Sequence, residues 1–352
     1  MKKTTLRLTC ALTTVGLFTA LPTVSAHAED DARKPPVTKF NATKLDTGKT
    51  AAAYVDRKML HDGKKKLKLE IPHDVWNVHR LQKGYLVEAD DPKTGWGVIH
   101  YRVGPKGKVT KLRRFPRGVW TLEVNSNGRQ IAIEIDEPNR SRLIVYNAFT
   151  NKVVRNRALG KHDVLDYVKG RVLLTRGVQK STLSWYRPKA NKSRKIGTVP
   201  EWARFADPGI NVIGLSDGAG CFDVRRFKAP RKKLWRLCGE KGIQNGVWFS
   251  PNGKWALTKE SIHDQPKLET VFLRRVADGA VVRKFKTPRF GSLGWENGNT
   301  MVVEAAAQKK AARVRCTVGG KCTRVSRLVK GRNNFHALDK LDSLFIDLKL
   351  LT

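Results

Sequence analysis

One pattern, a glycine-containing turn between two apolar runs, recurs along this chain at nearly constant spacing. It occurs around Gly84, Gly128, Gly170, Gly209, Gly253 and Gly298, at intervals of 44, 42, 39, 44 and 45 residues. A tryptophan precedes five of these turns: Trp76, Trp120, Trp202, Trp248 and Trp295. Because the tryptophans follow the repeat, we expect them to pack in the core. A period of 40 to 45 residues indicates a repeat architecture in which each unit buries its apolar face against its neighbours.

Each turn is followed by a second hairpin, so one repeat holds four short strands, which we label A to D along the chain. Four strands in about 44 residues are typical of an all-β fold, the β-propeller. Six repeats are whole. We predict that residues 51–71 and 333–352 supply a seventh blade between them and close the ring. The alternative is a six-bladed ring with loose ends, in which the C-terminal residues form an amphipathic helix.

The stretch SPNGKWALT (250–258) resembles the repeats of TolB-like and WD40-like propellers of exported bacterial proteins. The hairpin RVRCTVGGKCTRV (313–325) is similar to bridged hairpins in secreted actinobacterial propellers of unassigned function. The resemblance covers most of residues 51–352, although no repeat has the Gly-His and Trp-Asp signature of true WD40 repeats. It implies a propeller fold and a secreted location, and it implies no activity.

The N-terminus has the features of a secretory signal peptide. A basic start is followed by the apolar run Leu8–Leu21 and the small-residue site Ala26-His27-Ala28. This apolar run is too short to span a membrane, and no other stretch is long and apolar enough. We therefore predict a signal peptide at 1–28, a basic linker at 29–50 and a single propeller domain at 51–352, in a secreted monomer.

Four cysteines remain after the predicted signal peptide, and an even number in an exported chain favours disulfides. Cys221 and Cys238 lie near the ends of one predicted C–D hairpin, and Cys316 and Cys322 flank the turn of another. Facing positions in a hairpin bring β-carbons within bridging reach. We predict these two bridges, no metal site and no cofactor.

The chain is strongly basic, with 69 Lys and Arg against 31 Asp and Glu, a formal charge of +38. Many cations fall in the predicted C–D turns. They include Lys64, Lys65, Lys66, Lys106, Lys108, Arg231, Lys232 and Lys233. One interpretation is solubility, because lysine also protects strand edges. The other is binding to an anionic partner: a wall polymer, an acidic polysaccharide, lipid headgroups or DNA read without sequence specificity.

The predicted B–C loops lie on the opposite face of the ring and hold most of the unusual polar residues. With Glu88, the candidate ligand-binding residues there are Asp90, Asp91, Trp96, Asp136, Glu137, Asp217, Glu260, His263 and Asp264. They are either ordinary solvated loop residues or contacts for a cation or a basic protein partner. The sequence Gly214–Gly218 fits G-x-S-x-G, but a strand follows where a nucleophile elbow needs a helix.

These features favour an exported, non-enzymatic binding scaffold held at an anionic surface, with no catalytic residue assigned. The alternative is a hydrolase or lyase that acts on extracellular polysaccharide. Such an enzyme would use carboxylates or His263 from these loops, and its two carboxylates would lie about 5 to 10 Å apart in a cleft.

Overall fold

The computed structural model describes residues 34–49, 54–56, 58–94, 97–115, 119–177, 180–199, 202–217, 221–238, 243–260 and 267–334. Within these ranges it describes only the backbone of Trp76, Trp120, Trp202, Arg204, Phe205, residues 243–246 and Glu260. The described residues form strands in seven small antiparallel sheets, the blades of a β-propeller. The predicted seven-bladed, all-β ring is confirmed, and the six-bladed alternative is wrong.

Strand β1 (Val37–Lys39) precedes the first blade. Blade 1 contains β2 (Tyr54–Asp56), β3 (Met59–Asp62) and β4 (Lys65–Lys68). Blade 2 contains β5 (Val75–Arg80), β6 (Tyr85–Asp91), β7 (Gly97–Val103) and β8 (Val109–Phe115). Blade 3 contains β9 (Val119–Val124), β10 (Gln130–Glu137), β11 (Arg140–Asn147) and β12 (Val153–Leu159). Blade 4 contains β13 (Asp163–Val168), β14 (Arg171–Arg176), β15 (Ser181–Arg187) and β16 (Lys192–Val199).

Blade 5 contains β17 (Trp202–Asp207), β18 (Val212–Ser216), β19 (Phe222–Arg226) and β20 (Ala229–Leu237). Blade 6 contains β21 (Ile243–Phe249), β22 (Trp255–Glu260), β23 (Glu269–Arg275) and β24 (Val281–Thr287). Blade 7 contains β25 (Arg289–Asn297), β26 (Thr300–Ala307), β27 (Lys310–Thr317), β28 (Cys322–Arg324) and β29 (Val329–Lys330). Strands pair in chain order within each blade, except that β28 and β29 both pair with β27 and share the outermost position.

Glycine in the A–B turns is required by the backbone. Gly253 has φ +66°, and a Cβ there would lie 2.9 Å from Ile210 Cβ in the A–B turn of blade 5. Gly84 has φ +92°, and a Cβ there would lie 2.1 Å from the carbonyl oxygen of Val103. Gly84 and Gly253 therefore allow both the left-handed turn and its close approach to a neighbouring strand or blade.

The apolar core lies mostly between adjacent blades. One cluster joins Leu86 of blade 2 to Ile131 and Tyr146 of blade 3. Of the predicted tryptophan anchors, Trp295 is buried and Trp248 is partly buried against the same cluster as Trp295. The indole nitrogen of Trp295 donates to the Trp248 carbonyl at 2.9 Å. This interleaving of neighbouring blades is why the repeat needs a closed ring.

Blade 1 closes that ring. On one side, Arg313 Nη1 of blade 7 donates to the Val55 carbonyl at 3.4 Å, and Arg327 pairs with Asp56 at 2.9 Å. On the other side, Asp62 accepts hydrogen bonds from Arg80 and Tyr85 of blade 2. The predicted N-terminal contribution to the seventh blade is therefore confirmed. Its predicted C-terminal half at 333–352 lies outside the described residues, apart from its first two.

Residues 37–48 lie against the outer edges of blades 6 and 7. Strand β1 pairs in parallel with β24, and Thr47 forms a parallel bridge with Arg324. Phe40 and Ala42 belong to the apolar cluster shared by blades 6 and 7. Part of the segment predicted as a linker thus contributes a strand and two core residues. No helix in the described part of the chain is long and apolar enough to cross a membrane.

Both predicted disulfides are present, Cys221–Cys238 and Cys316–Cys322. Each bridge lies at one end of a C–D hairpin. Cys316 and Cys322 face each other in the ladder, and Cys221 and Cys238 directly follow the last pair, Phe222 and Leu237. The two bridges indicate an oxidising environment.

Candidate functional site

The two faces of the ring are defined by backbone hydrogen bonds that recur from blade to blade. In blades 3, 5, 6 and 7 a C–D turn donates to the A–B turn of the same blade. These bonds run from Ala148, Phe227, Val276 and Val318 to the carbonyls of Arg129, Asn211, Lys254 and Asn299, at 2.9 to 3.1 Å. The A–B and C–D turns therefore share one face, which we call the turn face. The B–C loops lie on the other, which we call the loop face.

On the loop face, Asp90 and Asp91 end strand β6. Asp91 is buried and accepts hydrogen bonds from Arg114, from the Lys93 backbone at 3.2 Å and from the Thr94 hydroxyl at 3.3 Å. The bond from Arg114 holds the pKa of Asp91 below its usual value. This carboxylate is thus ionised and stabilises its own turn, as an aspartate in an Asx turn does.

The acidic residues of the blade 3 and blade 5 loops are also paired within their own blades. Glu137 binds Arg142 at 2.6 Å and Arg140 at 2.5 Å, and these bonds lower its pKa to about 2. Asp217 binds Arg236 at 2.6 Å and also accepts from the Cys221 backbone at 3.0 Å. These two acids therefore hold hairpin ends in place.

Asp136 is exposed at the end of β10, beside Glu137. The backbone of Glu260 ends β22, and its side chain is outside the described part of the structure, as are Trp96, His263 and Asp264. An acid–base pair for a hydrolase or lyase would need one carboxylate that is free to take a proton, and Asp91, Glu137 and Asp217 each bind arginine.

Glu88 was expected in a loop but lies in the middle of β6, 7% exposed, with imidazoles on both sides. His79 Nε2 lies 2.9 Å from Glu88 Oε1, and His100 Nε2 lies 3.4 Å from Glu88 Oε2. Burial raises the pKa of Glu88, but the hydrogen bonds from His100 and His79 outweigh burial and hold the pKa well below its usual value. Glu88 is therefore a buried anion.

The same network crosses from blade 2 to blade 3. The Tyr146 hydroxyl lies 2.5 Å from His100 Nδ1, and burial with the Glu88 charge raises the pKa of this tyrosine. With the hydroxyl as donor to Nδ1, His100 Nε2 carries its proton toward Glu88. A hydroxyl, an imidazole and a carboxylate in this order can activate a nucleophile. However, both His100 and Tyr146 are fully buried, so the network serves as a link between blades.

Buried carboxylates are a general feature that our sequence interpretation missed. Eight acidic residues in the described ranges are buried: Glu88, Asp91, Glu134, Asp166, Asp223, Glu269, Glu296 and Glu304. The sequence does contain a sign of this burial. Glu88, Glu134 and Glu304 each stand between apolar neighbours in the B strand of a repeat (LVEA, AIEI, VVEA). In a B strand that is buried on both faces, a glutamate at such a position is also buried.

The cations have the opposite distribution and concentrate on the last strand of each blade, which is outermost. The number of Lys and Arg residues is four in β20, three in each of β4, β8, β16 and β24, two in β12, and one in each of β28 and β29. None of these eight strands contains Asp or Glu. The basic surface predicted for the C–D turns thus continues along the circumference of the ring.

The predicted turn residues are part of this surface. Lys64, Lys66, Lys106, Lys108, Arg231, Lys232 and Lys233 are exposed, and Lys65 is partly buried over the Tyr85 ring. Among the described residues, no three or more His, Cys, Asp or Glu side chains are arranged to hold a metal ion.

No protein-family model and no curated protein matches the chain. Among solved structures, the chain is similar to the uncharacterized protein lmo1340 from Listeria monocytogenes EGD-e. The identity is 11% over 74% of this chain and 86% of that chain, with a TM-score of 0.47.

Proposed function

We propose that this protein is an exported, non-enzymatic propeller scaffold that attaches to an anionic polymer or surface through its outer strands. The observation that carries the proposal is the charge of those strands, which hold cations on every blade and no carboxylate. These cationic outer strands attract polyanions from a distance, and binding is favoured because it releases the counterions of the polyanion.

Export is proposed from the signal-peptide pattern at residues 1–28, and it agrees with the oxidising environment that the two disulfides indicate. Attachment through the circumference would leave the loop face accessible. That face carries Asp90, Asp136 and Asp217, and we propose it as the surface that presents loops to a ligand or a protein partner.

The proposal is tested by retention of the purified protein on immobilised polyphosphate, heparin and polygalacturonate between 50 and 400 mM NaCl. Uncharged dextran resin is the control. We expect retention on at least one polyanion, with a logarithm of the binding constant that falls linearly with the logarithm of salt concentration. Absence of retention at 50 mM NaCl, or retention that salt does not change, would contradict the proposal.

A further inference from the structure

The outer-strand arginines have different roles around the ring. In blades 2, 3 and 6 an arginine of the outer strand donates to a backbone carbonyl in the C–D turn of the next blade. Arg113 binds the Asn151 carbonyl at 3.0 Å, Arg155 binds that of Pro188 at 2.9 Å, and Arg283 binds that of Val318 at 3.1 Å. These cations link blades and are already engaged.

Blades 4 and 5 depart from this pattern. In blade 5 the bond to the next C–D turn comes from Trp235, whose indole nitrogen donates to the Val276 carbonyl at 2.9 Å. Six cations of β16 and β20 are exposed and form no side-chain hydrogen bond or ion pair within the described structure. They are Lys192, Arg194, Lys195, Arg231, Lys232 and Lys233.

Both strands contain local backbone irregularities, and the one in β20 displaces two of these cations from the ladder. In β20, Arg226 pairs with Ala229 and Arg225 with Lys233, so residues 230–232 are displaced from the ladder. In β16 the irregular residue is Ile196, which is 40% exposed, whereas Leu112, at the equivalent place in blade 2, is buried against blade 3. Bulges of this kind re-aim side chains away from the sheet.

The edges of these two strands also offer backbone donors. In blade 6 the outer edge of β24 is already bonded to the N-terminal segment, with Lys284 N donating to the Pro36 carbonyl at 3.0 Å. In the described structure no strand lies beyond β16 or β20. Alternate N–H groups on such an edge point outward and can donate to an oxygen ligand.

We infer that the outer strands of blades 4 and 5 form one site for a linear phosphate polymer without bases. This inference rests on the proposed function and narrows it: the cations of every blade attract the polymer from a distance, and the outer strands of blades 4 and 5 hold it in contact. Phosphate oxygens accept hydrogen bonds from lysine, arginine, serine and backbone N–H groups together, and this edge supplies all four, with Ser193 as its hydroxyl.

The composition of the site suits phosphate. Four of its six cations are lysines, which bind phosphate as point charges, and the two arginines can bind phosphate oxygens with paired donors. Single-stranded nucleic acid is disfavoured because it needs exposed aromatic rings for stacking. Trp235 and Phe227 are buried, and Trp185 is partly buried, with Phe227 at one side and the Arg171 guanidinium over its ring.

The test compares two variants of the full chain that each lose six exposed charges. The site variant replaces Lys192, Arg194, Lys195, Arg231, Lys232 and Lys233 with Gln. The control variant replaces Lys64, Lys66, Lys106, Lys108, Lys111 and Lys152, exposed cations of blades 1 to 3 whose side chains also form no hydrogen bond or ion pair within the described structure. Fluorescence anisotropy of end-labelled polyphosphate and poly(glycerol phosphate) gives the affinity from 50 to 400 mM NaCl.

Each phosphate contact with a single-stranded polymer releases about 0.7 counterions, so six contacts give a salt slope, the fall of log K with log salt concentration, of about 4. This slope corresponds to a fall in affinity of about 300-fold between 50 and 200 mM NaCl. We expect the site variant to lose this slope and to bind more than about 100-fold more weakly at 50 mM NaCl, and the control variant to keep the slope and bind within about threefold of the parent. If the six-residue site variant fails to fold, the two triple variants of β16 and β20 should each lose a slope of about 2.

Equal losses in both variants would show that the charge acts diffusely and would overturn the site, while the proposed function would stand. Polygalacturonate or a deoxythymidine oligomer that binds as tightly as polyphosphate of equal charge would overturn the ligand class. Failure of the parent protein to bind any polyanion at 50 mM NaCl would refute the proposed function itself.

Discussion

Replacement of Glu88 by Gln tests whether the buried histidine–glutamate network stabilises the ring. The change keeps the size of the side chain but removes a charge that accepts from His79 at 2.9 Å and faces His100 Nε2 at 3.4 Å. A hydrogen bond to a charged group contributes about 1.5 to 3 kcal/mol, and only the shorter contact has full hydrogen-bond geometry. With a smaller contribution from His100, we expect a loss of about 3 kcal/mol.

This loss can be measured as a change in melting temperature. The entropy of unfolding is about 2.1 cal/mol/K per residue, so a ring of about 300 residues should melt about 5 °C lower in Glu88→Gln at pH 7. Glu137→Gln is the matched control, because Glu137 also contacts two side chains, both arginines, but lies at the surface, where such pairs contribute about 0 to 1 kcal/mol.

The difference in melting temperature between the parent and Glu88→Gln must also depend on pH, and its direction can be stated. The folded-state pKa of Glu88 lies below its ordinary value of 4.5, so ionised Glu88 adds stability above that pH, and this stability is lost as the pH falls below it. The melting temperatures of the parent and Glu88→Gln should therefore differ at pH 7 and converge below about pH 4.5. A difference under about 1 °C at pH 7, or one that does not shrink in acid, would refute the reasoning.

Three further substitutions test the construction of the blades, each by thermal unfolding. Serine at both Cys221 and Cys238, which are 17 residues apart, should remove about 3 kcal/mol, and an unchanged melting temperature under oxidising conditions would contradict this. Gly84→Ala should cost at least about 2 kcal/mol because its Cβ would overlap a backbone carbonyl, whereas Gly170→Ala, at φ +73° in open space, should cost about 1 kcal/mol. Arg313→Met should cost about 3 to 5 kcal/mol, because it leaves a buried carboxylate without its cation and removes a bond between blades 7 and 1, and a loss below 1 kcal/mol would argue against that role.

The blade pattern was predictable from the sequence because its determinants are local. A glycine at positive φ, as at Gly253, and two apolar runs of strand length are visible within about fifteen residues. The disulfide Cys316–Cys322 followed for the same reason, since both cysteines flank one short turn. Seven blades could be predicted because the hairpin of strands β3 and β4 is only part of a repeat, and this extra part gives a seventh blade in a closed ring.

The charge pairing could not be predicted in the same way, because each pair depends on contacts between strands or blades. Glu88 was read as a loop acid because the strand was expected to end with its apolar run, and the network that holds Glu88 extends through His100 to Tyr146, 58 residues further along the chain in another blade. Likewise, nothing in the local sequence distinguishes Arg155, which binds the next blade, from Arg194, which does not. Only the tertiary structure separates structural cations from those available to a ligand.

Repulsion between the outer-strand cations should lower the stability of the protein when no polyanion is bound. Most of the buried carboxylates neutralise arginine or lysine at close range, so they do little to offset the outer strands, where like charges repel across the folded ring. A polyanion that binds the folded ring should raise its melting temperature progressively as its concentration increases above the dissociation constant, and added NaCl should also raise it by screening the repulsion. The site variant should respond less than the control variant to polyphosphate, because both have lost the same charge and differ only in where it was removed. Equal stabilisation of the two by polyphosphate would mean that the ligand responds to total charge rather than to the edges of blades 4 and 5.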